Sequence, residues 1–212
     1  HGHFHFVNAA VLSDARSNSS LLDVLRDSNS VCILDSRYLS WVAGLISSRS
    51  RYPQVRGADF LRSILQASQD NDSRHYFVGN TVDVLNALKS KLDGMKIQAA
   101  YESLPFCDWN EFDLNGISTR ASNFESDFVW ISLGTPKQDF VAYEIWKRTR
   151  INTFCIGAAI DFLVENKKEA PRLLQKIGLE WLYRLEQEPS RLWQRYLKGN
   201  IKAILQVLSP RA

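Results

Sequence analysis

Two carboxylate side chains stand where this sequence could perform acid–base chemistry. Asp59 follows a glycine in the turn R-G-A-D, and a carboxylate held there could act as a general base that activates a hydroxyl for attack. Asp35 directly follows an apolar run and could serve the same purpose. Both residues also suit a structural role, because Asp near a helix start commonly caps the helix or interacts with its dipole. On these residues alone, both interpretations stay open.

A second chemical feature is the segment from Asp127 to Asp139, D-F-V-W-I-S-L-G-T-P-K-Q-D. Its apolar first half predicts a buried strand that ends near Gly134, and a helical pattern begins at Gln138. A helix N-terminus offers free N–H groups and the positive end of the dipole, and Lys137 adds a full charge. We expect Gly134, Lys137 and Gln138 to hold an anion or a sugar hydroxyl, although a junction of this kind can also bind nothing.

Several common catalytic patterns are missing from the sequence. It contains no P-loop, no G-x-G-x-x-G and no G-x-S-x-G motif. His3 and His5 alternate on a predicted strand and could ligate a metal, but no further cluster of ligand residues lies near them in the sequence. We therefore expect neither a metal ion nor a cofactor.

The elements that must position these residues repeat the order strand, turn, helix. Apolar runs predict strands, some with the turn that follows, at Phe4–Asn8, Val31–Leu34, His75–Asn80, Lys96–Ala100, Phe128–Ser132 and Thr153–Gly157. Helical spacing predicts helices around Leu21–Leu25, Phe60–Leu65, Val82–Leu88 and Phe112–Phe124, and from Gln138 onward. Ser36–Arg51 is mixed and is expected to cover the site or to pack on its edge. This order favours an α/β fold with a parallel sheet covered on both faces, whose turns meet at one ligand-binding edge.

Length and composition fit one globular domain, alone or with a small appendage. The chain has 212 residues, of which 45% are hydrophobic and 11% aromatic. No apolar run approaches the roughly 20 residues that span a bilayer. The three cysteines form no C-x-x-C pair, and Cys32 and Cys155 lie within apolar runs, so we expect buried free thiols in a reducing compartment.

The last quarter of the chain differs in kind, and we divide the sequence into an α/β core, 1–169, and a basic C-terminal helical appendage, 170–212. Helices are predicted there at Pro171–Ile177, Gly178–Gln187 and Ser190–Leu208. From residue 165 onward, ten Lys and Arg stand against five Asp and Glu, whereas the first 164 residues hold sixteen against eighteen. A basic tail on a near-neutral body suggests an anionic partner such as a membrane surface, a nucleic acid or a phosphate-bearing substrate.

Six motifs, taken together, make the chain resemble the WecG/TagA/CpsF family of glycosyltransferases from about Asn8 to Leu197. They are R-G-A-D-F-L, R-H-Y-F-V-G, L-G-T-P-K-Q-D, G-A-A-I-D-F-L, A-P-x-x-x-Q-K-I-G-L-E-W-L-Y-R-L and E-P-x-R-L-W-Q-R-Y-L, in that order. The resemblance implies a Rossmann-like fold and metal-independent, inverting transfer of a sugar from a UDP-sugar donor to a polyprenyl-diphosphate-linked sugar acceptor. It also implies work at the cytoplasmic face of the cell membrane, where the family builds teichoic acid linkage units, common antigen or exopolysaccharide.

The resemblance carries roles over to particular residues. Asp59 matches the Asp of the family's G-x-D motif, its proposed general base, and Gln138 matches the glutamine of P-K-Q, expected to contact the sugar or the base. Asn8 matches the Asn of an early T-x-N motif. Arg74 matches an arginine thought to offset diphosphate charge. The tail arginines thought to reach over the active site and bind the diphosphate correspond to Arg184, Arg191 and Arg195.

The sequence departs from the family pattern at three places, all nearer the sugar pocket than the base. The Thr of T-x-N is Phe6, the D-G after the second strand is Asp35-Ser36, and a double glycine is Gly79-Asn80. Donor identity is therefore the least transferable property.

Two functions other than catalysis stay open. One is a UDP-sugar-binding regulatory or scaffold protein without turnover, from which an Asp59→Asn variant would distinguish an enzyme. The other is nucleic-acid binding through the tail, which steep salt dependence would support. We expect no nucleic-acid partner, because five acidic residues lie in that tail and the body is near neutral. The sequence also leaves open whether the protein forms a homo-oligomer and whether the tail acts in cis, on a neighbouring subunit or on the membrane.

Overall fold

The computed structural model describes residues 1–46, 52–187 and 189–190, and a parallel sheet lies at its centre. The strands are β1 (His3–Val7), β2 (Ser30–Leu34), β3 (Arg74–Val78), β4 (Gln98–Glu102), β5 (Phe128–Ile131) and β6 (Asn152–Cys155). They form one six-stranded sheet in the order β2-β1-β6-β5-β3-β4, with every pairing parallel. The predicted α/β fold with a parallel sheet is confirmed.

Helices cover both faces of this sheet. They are α1 (Ala9–Ser17), α2 (Ser19–Arg26), α3 (Arg37–Ile46), α4 (Gly57–Ala67), α5 (Val82–Gly94), α6 (Leu114–Asn123), α7 (Lys137–Thr149), α8 (Ala159–Leu163), α9 (Arg172–Lys176) and α10 (Glu180–Gln187). Side chains of α2, α6 and α7 pack on one face, and those of α4, α5 and α8 pack on the other. The chain therefore crosses the sheet in opposite directions on opposite faces, as right-handed crossovers require.

The pattern of the central strand β5 explains why both faces are covered. Phe128 and Trp130 pack into the core beneath α4 and α5, whereas Val129 and Ile131 pack into the core beneath α6 and α7. Side chains alternate between the two faces of a strand, so a strand that is apolar at every position must be buried on both sides. The continuous apolar run in the sequence predicted this correctly.

The edge strand β2 is less buried than the sequence predicted. It pairs with β1 and forms one end of the sheet order, and both Val31 and Cys32 are exposed. The expectation of a buried Cys32 thiol is therefore wrong, because an apolar run does not distinguish a central strand from an edge strand. Cys155 in β6 is buried as predicted, and all three cysteines are free thiols.

Two helices near the start of the chain were not predicted as such. Asn8 does not simply end β1: its side chain accepts hydrogen bonds from the N–H groups of Ala10 and Val11 and thereby caps α1. The segment Ser36–Arg51, predicted to be mixed, contains α3 through Ile46, and its last five residues lie outside the described part of the chain. The predicted helix at Phe112–Phe124 is present as α6.

The described part of the appendage consists of α9 and α10, which lie against the core. Gly178 joins them at a φ of 76°, a left-handed conformation that favours glycine. A methyl group built on Gly178 would lie 3.6 Å from Arg37 and 3.8 Å from Trp41, so this turn packs against α3. These two helices occur where they were predicted, whereas the third, Ser190–Leu208, lies outside the described residues from position 191 onward. Among the described helices, none has the length and apolar composition needed to cross a bilayer.

Candidate functional site

A cavity opens at the carboxyl edge of the sheet, where the turns after β1, β2, β5 and β6 converge. It encloses about 490 Å³, open solvent at its mouth included. The chain leaves β1 towards the α7 face of the sheet and leaves β6, through α8, towards the α4 face. Such a divergence opens a crevice between the two turns, which is where α/β sheets usually bind ligands. The lining includes Asn8, Asp35, Arg56, Gln138, Gly157, Glu180 and Arg184.

Asn8 and Asp35 reach the cavity because each directly follows the carboxyl end of a strand. The Oδ1 atom of Asn8 is taken up by the cap of α1, so the NH₂ group is the part of this side chain that can donate to a ligand. Asp35 accepts a hydrogen bond of 3.0 Å from the Gly57 N–H, which ties β2 to the start of α4. Burial raises the pKa of the Asp35 carboxyl, and the nearby Arg184 guanidinium offsets part of that rise.

Gln138 brings a buried acceptor without a donor to the same cavity. Its side chain is 5% exposed, and Nε2 lies 3.2 Å from the Thr135 hydroxyl. Within the described residues, Oε1 has no hydrogen-bond partner, and it lies 3.6 Å from where a methyl group on Gly157 would stand. A buried acceptor left unpaired in this way is costly, so a donor on a ligand would stabilise it.

The helix start that carries Gln138 is not a free anion site, contrary to the expectation from sequence. The N–H of Gln138 donates to the Gly134 carbonyl, and those of Asp139 and Phe140 donate to the Pro136 carbonyl. These groups are paired within the turn, so they are not available to hold an anion. The junction contributes a side-chain acceptor instead.

Positive charge in the cavity comes from two arginines on different parts of the chain. Arg56 precedes α4, and its side chain is 10% exposed. Arg184 lies on α10 of the appendage, over the ring of Phe162 at 4.8 Å. Both guanidinium groups bind the carboxylate of Glu180: Arg56 through Nε and Nη2 at 3.2 and 3.3 Å, and Arg184 through Nη2 at 3.0 Å. Arg184, a predicted site residue, thus lines the cavity, whereas Arg56 and Glu180 were not singled out.

Asp59 stands beside the cavity but does not line it. Its side chain, 56% exposed, forms ion pairs with Arg56 at 3.0 Å and with Arg62 at 3.2 Å. It faces a neighbouring groove that also includes Arg37 and Gln54. Arg56 borders both the cavity and this groove, so it separates Asp59 from the cavity.

Several predicted site residues are not brought together with these. Arg74 begins β3 and therefore lies at the amino edge of the sheet, about 13 Å along the strand from its carboxyl end. There it forms an ion pair with Glu125. The assignment of Arg74 to the substrate site is corrected on this ground: the motif R-H-Y-F-V-G places the arginine before the strand, and the ligand edge comes after it.

Lys137 and Gly134 also lie apart from the lining of the cavity. The Nζ atom of Lys137 donates to the Cys107 carbonyl at 2.6 Å and lies 3.5 Å from Asp108, so this charge holds the loop before α6. Gly134 supplies a carbonyl to the turn. Arg191 and Arg195 lie outside the described residues, and their predicted roles stay predictions.

A second group of polar residues, which we call the histidine cluster, lies under α7. Its members are Asp27, His3, His5, Asp139 and Cys155. His3 Nε2 lies 3.2 Å from Asp27, His3 Nδ1 lies 2.7 Å from His5 Nε2, and His5 Nδ1 lies 2.8 Å from Asp139 Oδ1. No ligand residues lie near His5 in the sequence, and the fold brings Asp139 and Cys155 to it from 134 and 150 residues away along the chain.

The three hydrogen bonds that join Asp27, His3, His5 and Asp139 need one more proton than two neutral histidines and two carboxylates carry. A hydrogen bond from Asn29 lowers the pKa of Asp27, and burial lowers the pKa of His3. Neutral His3 then donates from Nε2 to Asp27 and accepts from His5 Nε2. The Nδ1 atom of His5 is left facing the Asp139 carboxylate, and two acceptors at that distance need a cation between them.

A proton fits that position better than a metal ion. His5, Asp139 and Cys155 offer ligand atoms that all lie within 4.8 Å of one another, and within the described residues this is the group that could hold a metal. However, two ligands of one zinc ion stand about 3.3 Å apart or more, whereas His5 Nδ1 and Asp139 Oδ1 are 2.8 Å apart. Burial also raises the pKa of the Cys155 thiol, which keeps it protonated. We interpret the pair as a buried, proton-sharing ion pair.

Comparison with known protein families matches the chain to the Glycosyl transferase WecG/TagA/CpsF family. The family model matches residues 1–212, which is the whole chain. The chain therefore belongs to this family, and the resemblance drawn from its motifs is confirmed.

Proposed function

We propose that this member of the WecG/TagA/CpsF family transfers a sugar from a UDP-sugar to a polyprenyl-diphosphate-linked saccharide. Family membership supports a glycosyltransferase of cell-surface polysaccharide synthesis. The donor class, the acceptor, inversion at the anomeric carbon and independence of metal are the finer parts of the proposal, which the resemblance implies.

The observation that carries the proposal is the pairing of two kinds of binding group in one cavity. Gln138 Oε1 is a buried acceptor that needs a donor, and a sugar hydroxyl is one. Arg56 and Arg184 supply two guanidinium groups, which bind phosphate oxygens in bidentate geometry. A nucleotide sugar carries hydroxyls on one side of its scissile bond and a diphosphate on the other. The cavity therefore suits the part of the donor where the bond breaks.

The reaction would proceed in one displacement. A carboxylate takes the proton from the acceptor hydroxyl, the hydroxyl oxygen forms a bond to the anomeric carbon, and the bond from that carbon to the diphosphate oxygen breaks. The electron pair leaves with UDP, and arginine side chains stabilise the charge that develops there. Attack opposite the leaving group inverts the anomeric centre.

Two carboxylates are candidates for the base, and we assign the role to Asp59. Asp59 matches the G-x-D motif of the family, although in this structure Arg56 and Arg62 bind its carboxylate. Asp35 is the second candidate, because it lines the cavity and burial raises its pKa towards the range in which a base works well.

Acceptor-dependent release of UDP from a panel of UDP-sugars tests the proposal, with Asp59→Asn and Asp35→Asn compared side by side. We expect the base variant to lose activity about 10²- to 10⁴-fold while it still binds UDP, and the other to lose much less. Loss in Asp35→Asn alone would move the base to Asp35. No release by the wild-type protein, with lipid and acceptor supplied, would favour a binding protein without turnover.

We further propose that the protein works on the cytoplasmic face of the cell membrane and contacts it through an apolar patch. The patch consists of exposed apolar side chains on α3, α9 and α10, namely Trp41, Leu45, Leu173, Ile177 and Leu182. Arg172 and Lys176 are exposed on α9 between them. Apolar and basic side chains together suit the boundary of an anionic bilayer.

Sedimentation with anionic phospholipid vesicles tests this contact. The double variant Leu173→Glu and Ile177→Glu should bind vesicles at least about tenfold more weakly, because it removes apolar anchors and adds negative charge. Val82→Glu is the matched control, since Val82 is also exposed but lies on α5. Equal vesicle binding by all three proteins would contradict the proposed contact.

A further inference from the structure

The carboxylate of Glu180 is held as a bound phosphate would be held. Both of its oxygens face the guanidinium of Arg56, with Oε2 at 3.2 Å from Nε and Oε1 at 3.3 Å from Nη2. Arg184 Nη2 donates to the same Oε1 atom, at 3.0 Å. Two guanidinium groups that converge on one anion in this way form the usual protein site for a phosphate.

This carboxylate also lies inside the candidate site. Glu180 lines the cavity together with Arg56 and Arg184, and its side chain is 20% exposed. Glu169, the last residue of the core, also binds Arg56, at 3.1 Å through Nη2, but it is not part of the cavity lining. The two glutamates thus share one arginine and differ in their relation to the cavity.

We propose that Arg56 and Arg184 form the anion subsite of the cavity and that Glu180 occupies it until a diphosphate displaces it. This rests on the proposed function for the identity of the diphosphate, which there belongs to the donor. A ligand phosphate brings more negative charge and more acceptor atoms than a carboxylate, so it competes for the same donors. Arg56 is thereby a substrate-binding residue, and Glu180 is an internal competitor that α10 carries.

Displacement of Glu180 from Arg56 would also affect Asp59, the proposed base. In this structure Arg56 binds Asp59 as well as Glu180. A diphosphate that takes over the guanidinium weakens its hold on both carboxylates. Binding of the donor would then loosen the Asp59 carboxylate, which Arg62 still binds, in the same step in which it frees the Glu180 carboxylate.

Calorimetric titration with inorganic pyrophosphate and with UDP tests the subsite, using wild type, Glu180→Gln and Glu169→Gln. The two variants each remove one negative charge from Arg56 and keep the side-chain shape. We expect Glu180→Gln to bind pyrophosphate at least about fivefold more tightly than wild type, because the competing anion is gone. Glu169→Gln should stay within about twofold, and Arg56→Lys should bind at least about fivefold more weakly, since Lys lacks the bidentate fork.

Three results would overturn the inference: unchanged or weaker binding by Glu180→Gln, equal tightening by Glu169→Gln, or no binding of pyrophosphate by any protein. Thermal unfolding of each variant shows that it is folded, and the two glutamine variants decide the question even if Arg56→Lys does not fold. If pyrophosphate behaves as expected and UDP binds nowhere, the proposed donor class is wrong and the anion subsite stands.

Discussion

The protein contains two clusters of hydrogen-bonded polar side chains that differ in burial and in access. The histidine cluster, His3–His5–Asp139 with Asp27 and Cys155, is packed between the sheet and α7. The second, which we call the cavity cluster, consists of Asp35, Arg56, Gln138, Glu180 and Arg184 and lines an open cavity at the carboxyl edge. Both contain hydrogen-bonded carboxylates and perturbed pKa values.

The clusters differ in whether a ligand can reach their hydrogen-bonding and charged groups. In the histidine cluster, Asp139 Oδ2 has no hydrogen-bond partner within the described residues, and Asp139 is 1% exposed, so no solute reaches it. In the cavity cluster, Gln138 and the two arginines line space that a ligand can enter. We infer that the histidine cluster supports the fold and that the cavity cluster binds substrate.

The largest effect expected from this comparison is on stability, through Asp139→Ala. The variant leaves His5 without the carboxylate that shares its proton, and breaking such a buried pair costs about 3–5 kcal/mol in the free energy of unfolding. Denaturant unfolding measures it, with Asp72→Ala as the exposed control, expected to change by less than about 0.5 kcal/mol. Equal stability of the two variants would mean that the cluster does not support the fold.

The next effect is the pH dependence of the free energy of unfolding, to which another buried histidine contributes. His75 accepts a hydrogen bond from Trp130 Nε1, lies against the Ser68 hydroxyl, and burial lowers its pKa from 6.5 to about 4. The unfolded chain therefore binds a proton at a higher pH than the folded one does. This contribution is complete above about pH 6.5 and is lost as the pH falls towards 4, up to about 3 kcal/mol.

Urea unfolding of wild type and His75→Asn over that pH range checks this prediction. The variant lacks the titrating group, so its stability should fall less steeply between pH 6.5 and 4. Parallel curves would show that His75 does not carry the dependence.

The smallest of these effects is on UDP affinity, and it compares arginines at the two edges of the sheet in the variants Arg184→Ala and Arg74→Ala. Arg184 lines the cavity, so its loss should weaken UDP binding about tenfold, as expected for a charge-assisted contact. Arg74 pairs with Glu125 at the amino edge, and its loss should change UDP affinity by less than about twofold. A larger effect of Arg74→Ala in calorimetric titration would return it to the site.

The sequence predicted the fold well because its signals are local. Apolar runs such as Phe128–Ile131 specify a strand buried on both faces, and the positions of Asn8 and Asp35 after strands place them at the ligand edge. The wrong assignment of Arg74 also has a local cause. The motif identifies the residue, but the direction of the strand decides at which edge of the sheet it lies.

What could not be predicted depends on contacts between distant segments. The ion pair between Arg56 and Glu180 joins residues 124 positions apart, and no local pattern in the sequence connects them. Asp139 meets His5 only because β1 and α7 are neighbours in the fold. A charged residue just before G-A-D was the one local signal for Arg56, since it stands directly before the start of α4.

A crystal structure with UDP bound would test the central claim most directly, namely that the cavity cluster is the donor site. We predict that the diphosphate lies between Arg56 and Arg184, with the Glu180 carboxylate displaced and Gln138 Oε1 facing the position of the sugar. A diphosphate bound at the amino edge near Arg74, or elsewhere with Glu180 still held by both arginines, would contradict the account.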